Sequence, residues 1–184
     1  MTTIRPATRQ DMDAITAIYA HEVVNGTATF ELIAPDVEDM TRRWQAVRQM
    51  DLPWLVADRG EGAIGYANAA PFRPRAAYRY AVEISIYIHA DARGAGVGQT
   101  LLTALVEEVR RLNLRHLIAA ISDSATSEAS IRLHERNGFR QVGCYHQVGW
   151  KFERWLDVVL LQRDLAADGR TPSGPGLDMD NRRI

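Results

Sequence analysis

The chain has 184 residues, of which 46% are hydrophobic and 24% charged, with a formal net charge of −1. This composition predicts one globular domain with a sizeable core, and the near-neutral charge argues against binding to nucleic acid or to an anionic membrane. We expect a cytoplasmic protein without an intrachain disulfide, because Cys144 is the single cysteine and no apolar run indicates export or a bilayer span.

The N-terminal half predicts a strand, two helices and a hairpin. Met12, Ile15 and Ile18 repeat at helical spacing, while Gly60 and Gly62 mark a turn between two apolar runs. The predicted elements are a strand at 3–7, helices at 9–25 and 36–50, strands at 54–57 and 63–70, and a loop at 71–79.

Residues 81–89 form the clearest predicted strand, because apolar and polar side chains alternate along it. The elements that follow are a glycine-rich turn at 93–98, a helix with an apolar stripe from Leu101 to Leu112, a strand at 116–121, a helix at 126–137 ended by Gly138, and strands at 139–148 and 153–164. This order predicts an α/β (α+β) fold with a mixed sheet flanked by helices over 1–165. Residues 166–184 lack periodicity, and we expect a disordered tail there.

The turn between the predicted strand and helix has the pattern of an anion site. Glycines allow close backbone approach, and N–H groups at a helix N-terminus attract a pyrophosphate. The spacing does not fit a dinucleotide-binding G-x-G-x-x-G, and the lysine of a Walker loop is absent. The acetyl-CoA pyrophosphate loop, R/Q-x-x-G-x-G/A, fits, and a tight turn without a ligand stays open. The residues are Arg93, Gly94, Ala95, Gly96, Val97 and Gly98.

Three segments together carry a family resemblance: 78–98, 127–139 and 149–158. Over residues 2–165 the chain resembles GNAT enzymes, and more narrowly the phosphinothricin and methionine sulfoximine/sulfone N-acetyltransferases. The resemblance implies the GNAT fold, acetyl-CoA as co-substrate, no metal, and a homodimer in which the second subunit completes part of the acceptor pocket.

The resemblance also implies roles for individual residues. Glu83 matches the proposed general base, and His134 stands where many members carry a tyrosine that protonates the leaving thiolate. Ser127 replaces the usual asparagine at a cofactor contact. The other implied cofactor-binding residues are Ile86, Tyr87, Ile88, the turn from Arg93 to Gly98, and Ser130. The implied substrate-binding residues are Phe30, Arg73, Arg75, Tyr78, Ser85 and Tyr87.

The chemistry of amine acetylation is consistent with these roles. An ammonium must lose a proton before it attacks, and Glu83 shares the polar face of its strand with Ser85. A backbone N–H, that of Tyr87 or Ile88, is the expected donor to the oxyanion. His134 shares a helix face with the cofactor-side serines.

We therefore expect direct acetyl transfer to the α-amine of a glutamate-like amino acid, as in detoxification or herbicide resistance. Arg73 and Arg75 favour an anionic acceptor, because guanidinium groups suit carboxylates. Acetylation of a polyamine, an aminoglycoside or a protein N-terminus, and a catalytically silent acetyl-CoA sensor, stay open. We expect Trp150 and Trp155 to lie in the core and at the dimer interface.

Overall fold

The computed structural model describes residues 2–123, 125–166 and 174–179. The strands are β1 (Thr3–Pro6), β2 (Trp54–Asp58), β3 (Ala63–Pro71), β4 (Ala81–Ile88), β5 (His116–Ser122), β6 (Arg140–Lys151) and β7 (Arg154–Asp164). The α-helices are α1 (Met12–Asn25), α2 (Val37–Gln49), α3 (Val97–Arg111) and α4 (Glu128–Arg136). Short helical turns lie at Arg9–Asp11, Ala76–Tyr78 and Ala90–Ala92. No helix in these described residues is long and apolar enough to cross a membrane.

The strands form one mixed sheet in the order β1-β2-β3-β4-β5-β7-β6, which confirms the predicted architecture. Within the described residues, β4 and β5 are the parallel pair, and the other neighbours run antiparallel. The β4–β5 pairing covers only three positions and ends where Glu83 lies opposite Ile118. Beyond this point the two strands diverge, and a cleft opens in the middle of the sheet.

Helices cover both faces of the sheet. On one face, the ring of Tyr87 in β4 contacts Tyr19 of α1 at a centroid distance of 5.1 Å. On the other face, the side chain of Ile88 lies beside Leu101, which belongs to the fully buried stripe of α3. Because successive side chains of a strand point to opposite faces, β4 presents its polar residues towards α1 and its isoleucines towards α3.

Element boundaries differ from the predictions where local hydrogen bonds or turns decide them. The helix predicted from residue 9 begins at Met12, because Asp11 accepts hydrogen bonds from Arg5 and from the N–H of Thr8. Leu112 lies beyond the end of α3 and is 37% exposed, so the predicted apolar stripe ends one turn earlier. The strand predicted to end at 148 continues to Lys151.

A tight turn explains the longer β6–β7 hairpin. Phe152 and Glu153 both have positive φ angles, of 52° and 56°, and join the two strands directly. Two consecutive residues with positive φ give the turn whose twist matches that of a hairpin. Neither residue is a glycine or an asparagine, so the usual sequence signal for this turn is missing.

Part of the predicted disordered tail is packed against the domain. The N–H of Leu177 donates to the carbonyl of Arg79 at 2.9 Å, and the Leu177 side chain is only 8% exposed. The Tyr80 hydroxyl donates to the carbonyl of Gly174. Residues 174–179, which belong to the tail that we expected to be disordered, thus have defined contacts, and the Leu177 side chain is buried among apolar residues. Residues 167–173 and 180–184 of that tail lie outside the described residues.

Candidate active site

The divergence of β4 and β5 creates a cavity of about 300 Å³. Its walls come from β4, the end of β5, one face of α4, Val158 of β7 and the segment that follows α1. The predicted site residues that line it are Phe30, Glu83, Ser85, Ile86, Tyr87, Ser127, Ser130 and His134. A second cavity, of about 350 Å³, lies at the β1 edge of the sheet beside Trp44. None of the predicted site residues lines it.

Glu83 lies at the point where the two strands separate. Its carboxyl group faces the cleft on the same strand face as Ser85. Burial raises the pKa of Glu83, and the positive charge of Arg73 partly opposes this rise. A carboxylate with a raised pKa accepts a proton more readily near neutral pH, which is what a general base requires.

The backbone of β4 presents alternate groups to β3 and to the cleft. At the two ends of the β3–β4 ladder, the N–H of Phe72 donates to the carbonyl of Ala81, and the N–H of His89 donates to the carbonyl of Ile64. The register between these bonds is unbroken. Because an antiparallel ladder alternates with a period of two, the odd-numbered residues of β4 bond to β3 and the even-numbered ones point towards the cleft.

This alternation decides between the two predicted oxyanion donors. The N–H of Tyr87 is directed at β3, whereas the N–H of Ile88 is directed to the opposite side of β4, where β5 has diverged. The backbone of Ile86 also points there, in agreement with its predicted place along the cofactor. The carbonyl of Ile88 already accepts a hydrogen bond of 3.3 Å from Arg93. Of the two expected oxyanion donors, Tyr87 has its backbone engaged with β3, so the geometry favours Ile88.

The glycine-rich turn has the geometry of an anion site. Gly94 and Gly96 have positive φ angles of 74° and 78°, and open space lies where their side chains would be. Gly96 caps α3, so the N-terminal N–H groups of a 15-residue helix face outwards from the turn. The guanidinium of Arg93, predicted to hold a phosphate, forms a close ion pair with the buried Glu22.

The side chain of His134 is buried in the wall opposite β4. Its Nδ1 lies 2.8 Å from the carbonyl of Ser130, and its ring packs edge-on against Phe139. A carbonyl can only accept, so Nδ1 carries the proton, and Nε2 of the neutral ring is an acceptor. Burial lowers the pKa of His134, which opposes a second proton. This geometry disfavours the predicted role of His134 as a proton donor.

The two predicted cofactor-side serines lie on the same wall. The hydroxyl of Ser127 donates to the carbonyl of Ser122 at 2.7 Å and so joins α4 to the end of β5. Ser130 contributes its carbonyl to His134. The hydroxyl of Ser127, at the position where the resemblance implies an asparagine, therefore already serves a contact within the protein.

The predicted acceptor-side residues divide into two groups. Phe30 and Ser85 line the cleft, and so does Tyr87, whose half-buried ring stacks on Tyr66. The remaining three, Arg73, Arg75 and Tyr78, lie on the loop before β4 and do not line the cavity. Of these three, Arg73 influences the cleft electrostatically through its effect on the pKa of Glu83.

Two charged residues near the cleft escaped sequence reasoning. Lys151 is only 4% exposed, and its Nζ donates to the carbonyl of Thr29 at 2.9 Å. Asp123 is also buried and accepts hydrogen bonds from Thr27 and Arg154. Both side chains hold the segment that follows α1. The sequence contains one indication that Lys151 is buried, its position inside an apolar stretch, and it contains no pattern that indicates a buried Asp123.

The pairing of β6 with β7 also brings the side chain of Asp157 next to those of Cys144 and His146. On the β6–β7 hairpin, Nδ1 of His146 lies 3.7 Å from the sulfur of Cys144 and 3.2 Å from a carboxylate oxygen of Asp157. Both neighbours use the same ring nitrogen, so the group is not a proton relay. None of the three lines the cleft. The expectation that Cys144 is a strand residue is confirmed.

Comparison with known proteins decides the family. The acetyltransferase (GNAT) domain model matches residues 4–160. This chain belongs to the GNAT acetyltransferases. It is 47% identical over 169 residues to a phosphinothricin N-acetyltransferase of Alcaligenes faecalis, with 92% of this chain and 85% of that protein covered. It is 36% identical to an L-methionine sulfoximine/L-methionine sulfone acetyltransferase of Salmonella typhimurium, with 89% and 94% covered.

A solved structure supports the same assignment. The phosphinothricin acetyltransferase of Sinorhizobium meliloti in complex with acetyl-CoA superposes with a TM-score of 0.90 at 39% identity, and 95% of each chain is covered. The protein is therefore an N-acetyltransferase that uses acetyl-CoA. Its own geometry fits this co-substrate, because the open glycine turn caps a helix N-terminus and the unpaired edge of β4 leads from that turn to Glu83.

Replacing Glu83 tests its role as the base of this GNAT enzyme. Glu83→Gln should lower kcat by about 100-fold or more, because the amide cannot accept the amine proton. In the unmodified enzyme the acidic limb of the kcat/KM–pH profile should lie above the usual carboxyl range, since burial raises the pKa of Glu83. The variant should lack this limb. Glu61→Gln, in the exposed β2–β3 turn, is the control; full activity of Glu83→Gln would refute the assignment.

Two substitutions separate positioning from proton donation at His134. In His134→Asn the side-chain N–H can replace Nδ1–H towards Ser130, so this variant should keep most of its kcat. His134→Ala removes the hydrogen bond and the packing on Phe139, so its melting temperature and kcat should both fall. Steady-state kinetics and thermal unfolding of both variants provide the check. An equal loss of kcat in the two, by about 100-fold or more, would restore the role of general acid.

Proposed function

We propose that this enzyme acetylates the α-amine of a small glutamate-like amino acid, with phosphinothricin, methionine sulfoximine and methionine sulfone as acceptors. The observation that carries the proposal is the cleft at Glu83, which has Arg73 on the neighbouring loop before β4, near enough for its positive charge to lower the pKa of that carboxyl. A cation there suits an acceptor with a carboxylate beside its amine. The names of the relatives in Alcaligenes and Salmonella support the same acceptor class.

The proposed reaction is a direct transfer within a ternary complex. Acetyl-CoA supplies the thioester carbonyl. Glu83 removes the proton from the acceptor amine, the new N–C bond forms as the C–S bond breaks, and the bond electrons leave with sulfur. The N–H of Ile88, directed into the cleft, donates to the carbonyl oxygen as negative charge develops on it. No residue of the chain is acylated, so no nucleophilic side chain is needed.

A cationic acceptor fits the cleft less well. Among the described residues that line the cavity, Glu83 is the one carboxylate. A polyamine or an aminoglycoside carries several positive charges, and its recognition would call for further acidic groups. A catalytically silent acetyl-CoA sensor is also disfavoured, because the cavity contains a carboxylate placed to act as a base.

We infer that the reaction serves detoxification of such amino acids in the cytoplasm, as in herbicide resistance.

We further propose that the enzyme is a homodimer that uses the outer part of the β6–β7 hairpin. Trp150 and Trp155 pair across the strands and are 54% and 57% exposed, contrary to the core position that we expected for them. Their neighbours Val148 and Phe152 are about as exposed. Large apolar side chains grouped in this way mark an interaction surface.

A thiol-release assay with an acceptor panel tests the proposed substrate class. Turnover should occur with phosphinothricin, methionine sulfoximine and methionine sulfone, and not with spermidine, kanamycin or a short peptide.

Arg73→Gln should raise the acceptor KM by about 10-fold or more. It should also move the acidic limb to higher pH, because Arg73 holds the pKa of Glu83 down. Arg75→Gln is the matched control and should leave the limb in place. Turnover of spermidine or peptide alone would overturn the proposal.

Light scattering in solution tests the dimer. The unmodified enzyme should have twice the mass of one chain, and Trp150→Glu should give a folded monomer, because a charge at an apolar interface is costly. Leu112→Glu is the control, since Leu112 is partly exposed just after α3 and lies by the β1 edge of the sheet, opposite the edge that β6 forms. A monomeric unmodified enzyme would contradict the proposal.

A further inference from the structure

The segment of residues 26–31, which follows α1 and lines the cleft, is anchored at most of its positions. The Ser122 hydroxyl donates to the carbonyl of Thr27, and the Thr27 hydroxyl donates to Asp123 at 3.0 Å. The Tyr19 hydroxyl lies 2.8 Å from that of Thr29. This segment is a loop, yet side chains from α1 and β5 hold it in place.

The end of β6 supplies two further anchors for the 26–31 segment. Lys151 donates to the carbonyls of Thr29 and Glu22, at 2.9 and 3.4 Å. Burial lowers the pKa of Lys151, and two carbonyl groups, the charge of Glu22 and the ring of Phe152 offset the cost of burying it. Two residues earlier in the same strand, Gly149 lies directly under the ring of Phe30.

The contact between Gly149 and Phe30 leaves no room for a side chain. A Cβ atom built on Gly149 would come within 2.7 Å of three atoms of the Phe30 ring, far closer than carbon atoms approach one another. Gly149 is buried, and its φ angle is not in the left-handed region, so its backbone conformation is open to any residue. The demand for glycine at this position is therefore set by the aromatic ring and not by the backbone.

Phe30 in turn forms part of the acceptor wall. It lines the cleft beside Glu83 and Ser85, and its backbone neighbours are fixed by Lys151 and Tyr19. Because the backbone on both sides is held, a ring that loses its place on Gly149 can only rotate, into the cleft or towards solvent. Either movement changes the space that an acceptor side chain occupies next to the base.

We propose that Gly149 determines acceptor specificity: the missing side chain lets Phe30 pack against β6, and this contact sets the acceptor-side wall of the cleft. The proposal rests on the proposed function for the nature of the acceptor. It concerns the acceptor half of the site alone, because the glycine turn and the edge of β4 that face acetyl-CoA lie on other elements.

A double-mutant cycle on Gly149 and Phe30 tests this proposal. Gly149→Ala should raise the acceptor KM about 10-fold or more and change the ranking of phosphinothricin, methionine sulfoximine and methionine sulfone, while the KM for acetyl-CoA stays the same. Phe30→Ala removes the ring. In that background Gly149→Ala should have little further effect, because the added methyl group then meets empty space.

Gly143→Ala is the matched control. Gly143 lies in the same strand, and a Cβ there would meet only Leu160, at an ordinary distance of 3.9 Å. This variant should behave as the unmodified enzyme. The proposal is overturned if Gly149→Ala leaves acceptor kinetics as Gly143→Ala does, or if its effect persists undiminished in the Phe30→Ala background.

Failure of the specificity proposal can be told apart from failure of the proposed function. The unmodified enzyme on the acceptor panel tests the proposed function, whereas the cycle compares variants on whichever amine that enzyme accepts. A crystal structure of Gly149→Ala gives a second readout that needs no acceptor. Displacement of the Phe30 ring is expected, and a ring in its original place would overturn the proposal even if the variant is less stable.

Discussion

The early separation of β4 from β5 is the constraint on which the active site depends. A strand inside a sheet normally uses its N–H and carbonyl groups on both sides. Here the parallel pairing ends at Glu83, so the even-numbered residues beyond it have backbone groups without a strand partner on the β5 side. The same separation opens the cleft beside the Glu83 side chain and leaves the Ile88 N–H on the β5 side without a strand partner. The proposed binding edge, base and oxyanion donor therefore arise from one feature of the sheet.

Electrostatics differ at the two ends of this cleft. At the acceptor end, burial raises the pKa of Glu83 and Arg73 moderates the rise, which keeps the carboxylate both basic and available. At the cofactor end, Arg93 is already paired with the buried Glu22, so a phosphate has to compete with a carboxylate for this guanidinium. The helix N–H groups beyond Gly96 carry no such competitor in the described part of the chain, and they provide the anion site that does not require a rearrangement.

The acceptor side combines a loop backbone with strong anchoring. Loops that bind ligands are usually mobile, and their precision comes from the scaffold to which they are attached. In this enzyme the 26–31 segment is tied to α1, β5 and β6 through Tyr19, Ser122 and Lys151. Buried charged groups such as Lys151 are costly unless they are hydrogen-bonded, and they are better explained by positioning than by stability.

The sequence by itself determined the order of the elements, the glycine-rich turn before α3 and the candidacy of Glu83, because these follow from local periodicity and local motifs. It also predicted the family, since three separate segments matched. Only the tertiary structure decided which N–H faces the cleft, that His134 donates to Ser130, that Leu177 of the tail is buried, and that Gly149 lies beneath Phe30. Each of these depends on strand register or on contacts between residues distant in the chain, and no local pattern encodes the geometry of two segments that meet only in the folded protein.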